Sequence, residues 1–352
     1  MRSSSGEYYI SLDHIRALAA FLVFVWHFNH FESGNQQSPL LFPLSILTEG
    51  HTGVSIFLTL SGFLFAKLLA ERKIVYKLFF WNRALRLFPL LIVMLALQLI
   101  RSTLDGSFSF EFFERIIRGV VYPSLPNGGW SITVEMHFYL FLPVFLTIFL
   151  RKKIIYPILI LFSLLIIRYV EHRLGGNIQT LAFFTIFGRV DQFVLGILAF
   201  RYKSKIPSTK IFGFFATFSF LGYFYYFDLI GGYYGPFPNG PQAWIWIFQL
   251  TVEGLFYALL IAWYDKQKIP SSRISKLVSK IGQYSYSIYL LHFFLVFSFI
   301  PGYIDGNILN ISNSYVKLIA GTLLFFLFLP LAWFSYSFVE KPFLKYRKPY
   351  KR

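Results

Sequence analysis

The sequence predicts an all-α membrane protein, a polytopic bundle of about ten transmembrane helices with both termini in the cytoplasm. Three observations carry that reading. The 352 residues are 56% hydrophobic and 21% aromatic but only 14% charged, whereas a soluble chain carries roughly a quarter charged residues. Apolar runs of roughly 17–25 residues, long enough to cross a bilayer, recur along the whole length. The basic residues fall between those runs in an alternating, sided pattern. A mean hydropathy of +0.58 and 45 Phe with 23 Tyr fit lipid as the solvent and exclude a soluble globular enzyme. The net charge of +17 is distributed in short loop clusters, so membrane lipids and not nucleic acid are the expected partners. The chain has no cysteine, which removes disulfides, cysteine-ligated metals, iron–sulfur clusters and thiol nucleophiles.

The runs lie at about 12–31, 51–68, 87–104, 131–150, 154–170, 180–200, 211–228, 242–263, 283–300 and 315–338. The first follows the polar leader MRSSSGEYYIS without a small-residue cleavage site, so it reads as a retained anchor. With the N-terminus inside, 25 of the 33 Lys and Arg fall in cytoplasmic segments, six (Arg101, Arg115, Arg118, Arg168, Arg173, Lys317) fall outside, and Arg16 and Arg189 lie within spans. A miscounted span would mix the two sets beyond the error, so the split supports ten crossings of the inner (cytoplasmic) membrane. The outer segments 31–50, 105–130 and 229–241 are rich in Gly, Pro, Asn and aromatics; they suit the rim of a site, and ordinary loops share that composition. No linker or low-complexity tract divides the chain, so residues 1–352 read as one transmembrane domain. A rival reading is a polytopic transporter or flippase for a glycan or lipid-linked precursor, although no internal repeat supports it.

Ionisable residues inside spans are costly and are functional candidates by default. Arg16 and His27 are eleven residues apart on the first helix, about three turns and roughly 16 Å of rise, so they project from nearly one face. Imidazole exchanges protons near neutral pH, which suits His27 to general-base work; a buried structural histidine is the alternative. In the fourth span Ser131, Glu135 and Tyr139 recur at four-residue intervals beside Trp130, one polar stripe on an apolar helix. Glu135 is expected near the depth of His27, where it would orient the ring or merely serve the helix dipole. Arg83 and Arg86 are i, i+3 neighbours at the cytoplasmic start of the third span, placed either to clamp an anion or to anchor to headgroups. Ser285, Tyr289 and His292 share one face of the ninth span, as tunnel lining or as helix–helix hydrogen bonders. Arg189 and Asp191, two apart, need partners on other helices, with Glu253 a candidate. His51 reads as a loop residue. His27 and Glu32 imitate a His-x4-acid pair without the soluble domain that such a pair normally occupies.

Taken together, these segments resemble the membrane acyltransferase-3 family. SLDHIRALAAFLVFVWH resembles its first-helix signature, with Arg16 and His27 at the family spacing, and GVSIFLTLSGFLFA resembles its second helix. NRALRLFP carries the Arg-x-x-Arg-x-x-Pro segment on Arg83, Arg86 and Pro89, and NGGWSITVEMHFYLFLP carries the Trp-Ser-(x3)-Glu segment on Trp130, Ser131 and Glu135. GRVDQFVLGILAF, YSYSIYLLH and FVEKPF follow in order, so the resemblance covers roughly residues 10–345. It implies acyl transfer, usually of acetyl, from cytoplasmic acyl-CoA to extracytoplasmic glycans, with no metal. Acetyl-CoA or another acyl-CoA would be the donor; an O-antigen, exopolysaccharide or similar envelope glycan would be the acceptor. Arg16, Arg83 and Arg86 would hold the donor phosphates, His27 with Glu135 would do the chemistry, and Asp13 would pair with Arg16. Some members carry a fused extracytoplasmic esterase-like domain; none is expected here.

Overall fold

The computed structural model describes residues 9–30, 41–69, 75–235, 240–299 and 313–349. The described residues are mostly helical and form no strand; helices satisfy their own backbone hydrogen bonds, as lipid solvent demands of a spanning segment. In chain order the helices are α1 (Ile10–Asn29), the short α2 (Ser45–Thr48), α3 (Gly53–Leu69), α4 (Tyr76–Leu104), α5 (Glu111–Val121), α6 (Trp130–Arg151) and α7 (Ile155–Arg173). There follow α8 (Ile178–Phe184), α9 (Ile186–Arg201), α10 (Lys210–Leu229), α11 (Gln249–Tyr264), α12 (Arg273–Gln283), α13 (Ser285–Phe294), α14 (Ser314–Ser335) and α15 (Lys341–Leu344).

Six helical segments are long and apolar enough to cross a membrane: Ile10–Asn29, Gly50–Leu69, Tyr76–Leu104, Trp130–Leu150, Ile155–Arg173 and Ser314–Leu344. A seventh arises if α8 and α9, bent by 47° across Thr185, form one broken span. The protein is therefore a multi-pass membrane protein. The remaining expected runs fall on α10, α11 and α13. Of these, α11 and α13 are short, at 16 and 10 residues, and Tyr and Gly dilute the apolar character of α10. The expected leader and parts of the 31–50, 67–86 and 229–241 segments, including Glu32, lie outside the described residues.

The centre of the bundle is α1, α3 and α9. Gly62 of α3 and Gly196 of α9 sit where a Cβ would collide with the carbonyls of Phe193 and Thr59 respectively, so the two backbones touch. That small-residue contact is how helices gain packing when lipid removes the hydrophobic drive between them. Phe138 of α6 stacks on Phe193 of α9 at 3.7 Å, tying α6 to this centre. The lipid side is turned outward: Ile158, Leu159, Phe162 and Ile166 on α7, and Ile319, Leu323 and Leu327 on α14, are exposed.

Two amphipathic helices escape the span pattern. The first, α5, sets Glu111, Glu114, Arg115 and Arg118 among exposed Phe113, Ile117, Val120 and Val121. The second, α12, lies along α1 just before α13. Both are too short to span and suit the interface plane.

Candidate active site

Of the eleven residues expected to bind substrate or carry the chemistry, eight line a single cavity of about 160 Å³: Arg16, Arg83, Arg86, Ser131, Glu135, Tyr139, Ser285 and Tyr289. Arg16 comes from the N-terminal half of α1, Arg83 and Arg86 from that of α4, and Ser131 from the first turn of α6. The cavity thus grades from an end lined by Arg16, Arg83, Arg86 and Arg347 to an end closed by Ser131 and Tyr289. Ser131 Oγ donates to Tyr289 OH at 2.8 Å, and Tyr289 OH to the Gly128 carbonyl at 3.1 Å.

His27 and His292 stand just beyond that closed end. His27 Nδ1 lies 2.9 Å from the Val23 carbonyl and 3.1 Å from His292 Nε2. His292, fully buried, sets its own Nδ1 3.1 Å from the Ile288 carbonyl. A carbonyl only accepts, so in the neutral rings Nδ1 carries the proton in both residues. His292 Nε2 is then an acceptor facing His27 Nδ1–H, and His27 Nε2 keeps its lone pair. No hydrogen-bond partner of His27 Nε2 occurs among the described residues. Phe293, at 4.7 Å between ring centroids, and Phe297, at 5.6 Å, wall the ring on its outer side.

Glu135 takes different partners from those expected of it. Its Oε1 accepts from Ser61 Oγ at 3.2 Å and from Tyr139 OH one turn below. The Ser131–Glu135–Tyr139 stripe is real and faces the cavity, yet the group that meets His27 is an imidazole from α13 and not this carboxylate. Ser61, inside the apolar run of α3, is a cavity residue that the span reading passed over.

The cationic end is partly neutralised from within. Arg16 NH1 donates to Asp13 Oδ1 at 2.7 Å, the local pairing expected of Asp13. Arg86 pairs with Glu340, whose other oxygen accepts from Ser287. Glu340 is the acid of FVEKPF, and a π-helical turn at Tyr336–Glu340 delivers it below α14. Arg86 also lies over the Tyr286 ring at 5.3 Å, and Arg83 over Phe65 at 5.0 Å. Arg347 joins the cavity from the basic tail, where nothing in the sequence distinguishes it from Lys345 or Lys348.

Trp130 stays outside this cavity. It packs on Phe183 at 5.2 Å, and the buried Arg189 guanidinium lies 5.6 Å from its ring. Arg189 donates to the Phe183 carbonyl at 2.7 Å and to Ser55 Oγ at 2.9 Å; Ser55 in turn donates to Glu253. Glu253 therefore reaches Arg189 through a hydroxyl, while its carboxylate lies 3.5 Å from His51 Nε2. His51 is no loop residue: it is fully buried between Glu253 and Glu49, the latter 3.1 Å from Nδ1. Asp191 is held by Arg168 at 2.8 Å and by Thr251. Arg168, counted above among outer cations, is fully buried in α7. Periodicity places such residues on a face but does not say what the face meets. Among the described residues no group of three or more His, Asp or Glu side chains is arranged to hold a metal ion.

Residues 9–337 match the family described as acyltransferase domain, and the chain belongs to that family. It is 28% identical to a provisionally named O-acetyltransferase of Staphylococcus aureus (strain COL), over 96% of this chain and 58% of that protein. It is 26% identical to the peptidoglycan O-acetyltransferase OatA of Listeria monocytogenes serovar 1/2a (strain ATCC BAA-679 / EGD-e), over 99% of this chain and 58% of the relative. The O-acetyltransferase OatA of Staphylococcus aureus (strain NCTC 8325 / PS 47) is likewise 26% identical, over 97% and 58%. The chain thus spans less than two thirds of the length of the curated relatives it matches. No solved structure matches it.

Proposed function

We propose that this member of the acyltransferase family transfers an acyl group, acetyl foremost, from cytoplasmic acyl-CoA across the membrane to a hydroxyl of an extracytoplasmic carbohydrate. The acceptor class is an envelope glycan, such as O-antigen, exopolysaccharide or the peptidoglycan named for one relative. One observation carries the reading: a cavity lined by four arginines and by Ser131 and Tyr289 adjoins, through Tyr289, a histidine pair in which two carbonyls and the second ring leave the His27 Nε2 lone pair free.

In this reading all ten apolar runs cross the cytoplasmic membrane with both termini inside, as the basic split requires. Residues 1–352 act as one transmembrane catalytic unit. Arg16, Arg83, Arg86 and Arg347, all lining the cavity, receive the donor phosphates, with guanidinium forks suited to phosphate oxygens. The pantetheine arm lies along Leu58, Ser61 and Leu87, and the thioester reaches His27 when the Ser131–Tyr289 contact opens.

The chemistry then needs one basic nitrogen. His27 Nε2 removes the proton of the acceptor hydroxyl as its oxygen adds to the thioester carbonyl. The tetrahedral intermediate expels CoA thiolate, and the proton on Nε2 returns to that sulfur. By a second route Nε2 itself adds to the carbonyl and expels CoA thiolate; the acyl-imidazolium then passes its acyl group to the hydroxyl, whose proton goes through solvent to the thiolate as Nε2 regains its lone pair. The Val23 carbonyl and His292 together hold the His27 Nδ1 proton, and with it the tautomer, in both. Trapping separates them: a purified sample given acetyl-CoA without acceptor and quenched would show His27 heavier by one acetyl group only on the second route. The function itself is tested by comparing envelope-glycan masses from cells carrying wild-type or His27→Ala protein. Loss of acetylated glycan with normal membrane insertion is expected; unchanged acetylation would overturn the assignment.

A further inference from the structure

We infer that α12 is a docking helix for anionic phospholipid headgroups, and that lipid bound to its outer face holds its inner face against the mouth of the cavity. Its outward arc consists of Arg273, Ile274, Lys276, Leu277 and Lys280, all exposed, and the helix bears no acidic residue. At 100° per residue the three cations occupy one side of that arc, with Leu277 and Ile274 adjoining on the other. Ile274 is 75% and Leu277 56% exposed to whatever surrounds the protein. A water-facing helix would not set two large aliphatic side chains outward beside three cations; an interfacial one does. Position agrees, because α12 turns at Tyr284 into α13, which enters the bundle.

The opposite face is fastened to the cavity mouth. His14 Nε2 meets the Ser275 carbonyl at 2.8 Å, and Ser279 Oγ reaches Asp13 Oδ2 at 3.5 Å. A Cβ at Gly282 would strike the Asp13 backbone carbonyl, so the helices touch there. Asp13 is also the partner of Arg16, which lines the cavity. Lipid that fixes α12 thereby fixes the α1 turn bearing Asp13 and Arg16. Charge complementarity selects the occupant: three cations without a counter-ion on their own helix suit a phosphate-rich anionic surface, each adding about 1 kcal/mol of attraction near such a surface.

The test does not depend on the proposed catalysis. Full-length protein is placed in nanodiscs of phosphatidylcholine with an equal part of phosphatidylglycerol, and the lipids it retains are read by native mass spectrometry. Wild type should retain phosphatidylglycerol preferentially and melt higher than in phosphatidylcholine alone. The variant Arg273→Gln/Lys276→Gln/Lys280→Gln should lose the preference and the added stability, with roughly fivefold weaker retention for each cation removed, the factor equivalent to that 1 kcal/mol. Single Lys280→Gln should show one such step, and Lys152→Gln/Lys153→Gln, an exposed basic pair elsewhere, should behave as wild type. Equal preference in wild type and the triple variant, or equal loss in the distant pair, would overturn the assignment.

Discussion

Replacing His292 by Phe should slow acyl transfer by roughly two- to twelvefold and leave the fold intact. The ring it replaces is fully buried and packs within 4.6 Å of Phe293 and 5.9 Å of Tyr289 between centroids, surroundings that accept a second aromatic ring. What disappears is the acceptor 3.1 Å from His27 Nδ1. That proton keeps the Val23 carbonyl at 2.9 Å, so the tautomer survives and only one of two restraints is lost. A neutral hydrogen bond is worth about 0.5–1.5 kcal/mol net, which sets the range given above. Inverting the tautomer would cost far more, on the order of 10⁴ in the serine-protease precedent. Removing the base by His27→Ala should cost about 10²–10⁴. His292→Gln, which can offer an amide oxygen near the same place, should recover part of the loss. The assay is acetyl transfer by proteoliposomes loaded with acetyl-CoA, with thermal melting as the control for folding. A His292→Phe rate as low as that of His27→Ala, at unchanged melting temperature, would show that His292 itself reacts. A wild-type rate would show that it positions nothing.

Arg83→Ala should raise the donor KM more than tenfold with the acceptor KM little changed, because Arg83 faces the cavity; equal donor affinity in an acyl-CoA binding assay would refute the phosphate role. Arg86 differs, being paired with buried Glu340. Glu340→Gln should lower stability by about 3 kcal/mol, since it strands a cation, and the double change Arg86→Met/Glu340→Met should recover much of that by thermal melting. Asp191→Asn should destabilise by a similar roughly 3 kcal/mol, because it leaves Arg168 fully buried without its carboxylate. A cysteine placed at residue 80 should resist labelling by impermeant reagents in intact cells; labelling would refute cytoplasmic placement of the 67–86 segment.

How much of this was legible beforehand differs between composition and contact. Lipid solvent imposes long apolar runs, so α1, α3, α4, α6, α7 and α14 were readable from hydropathy alone. The sequence could not show that α4 starts at Tyr76, because its first turns carry Lys77 and Arg83 at the membrane surface and look like loop. The short amphipathic helices α5 and α12 were missed for a related reason: half of each faces protein or headgroups, and a window tuned to apolar runs averages that face away. The polar stripe of α6 was legible as one face of the helix, and that face lines the cavity. Its partner was not, since Ser61 and Tyr139 compete for Glu135 and only packing decides between them and His27.

The placement of charge follows the same logic and explains why the bundle tolerates so much of it. Buried cations in hydrocarbon persist when each is given a carboxylate or several carbonyl and hydroxyl oxygens. Arg168 has Asp191, Thr251 and two carbonyls; Arg189 has Ser55, Gln192 and the Phe183 carbonyl. These side chains staple α7, α9, α11 and α3. The cavity arginines are arranged otherwise: Arg16 and Arg86 have one carboxylate each and border an open volume. A guanidinium with donors beyond its single carboxylate can still take a phosphate oxygen. Two grades of arginine thus divide the molecule: the fully buried Arg168 and Arg189 close the scaffold, and the half-buried Arg16 and Arg86 border an open volume, with His27 beyond its far end.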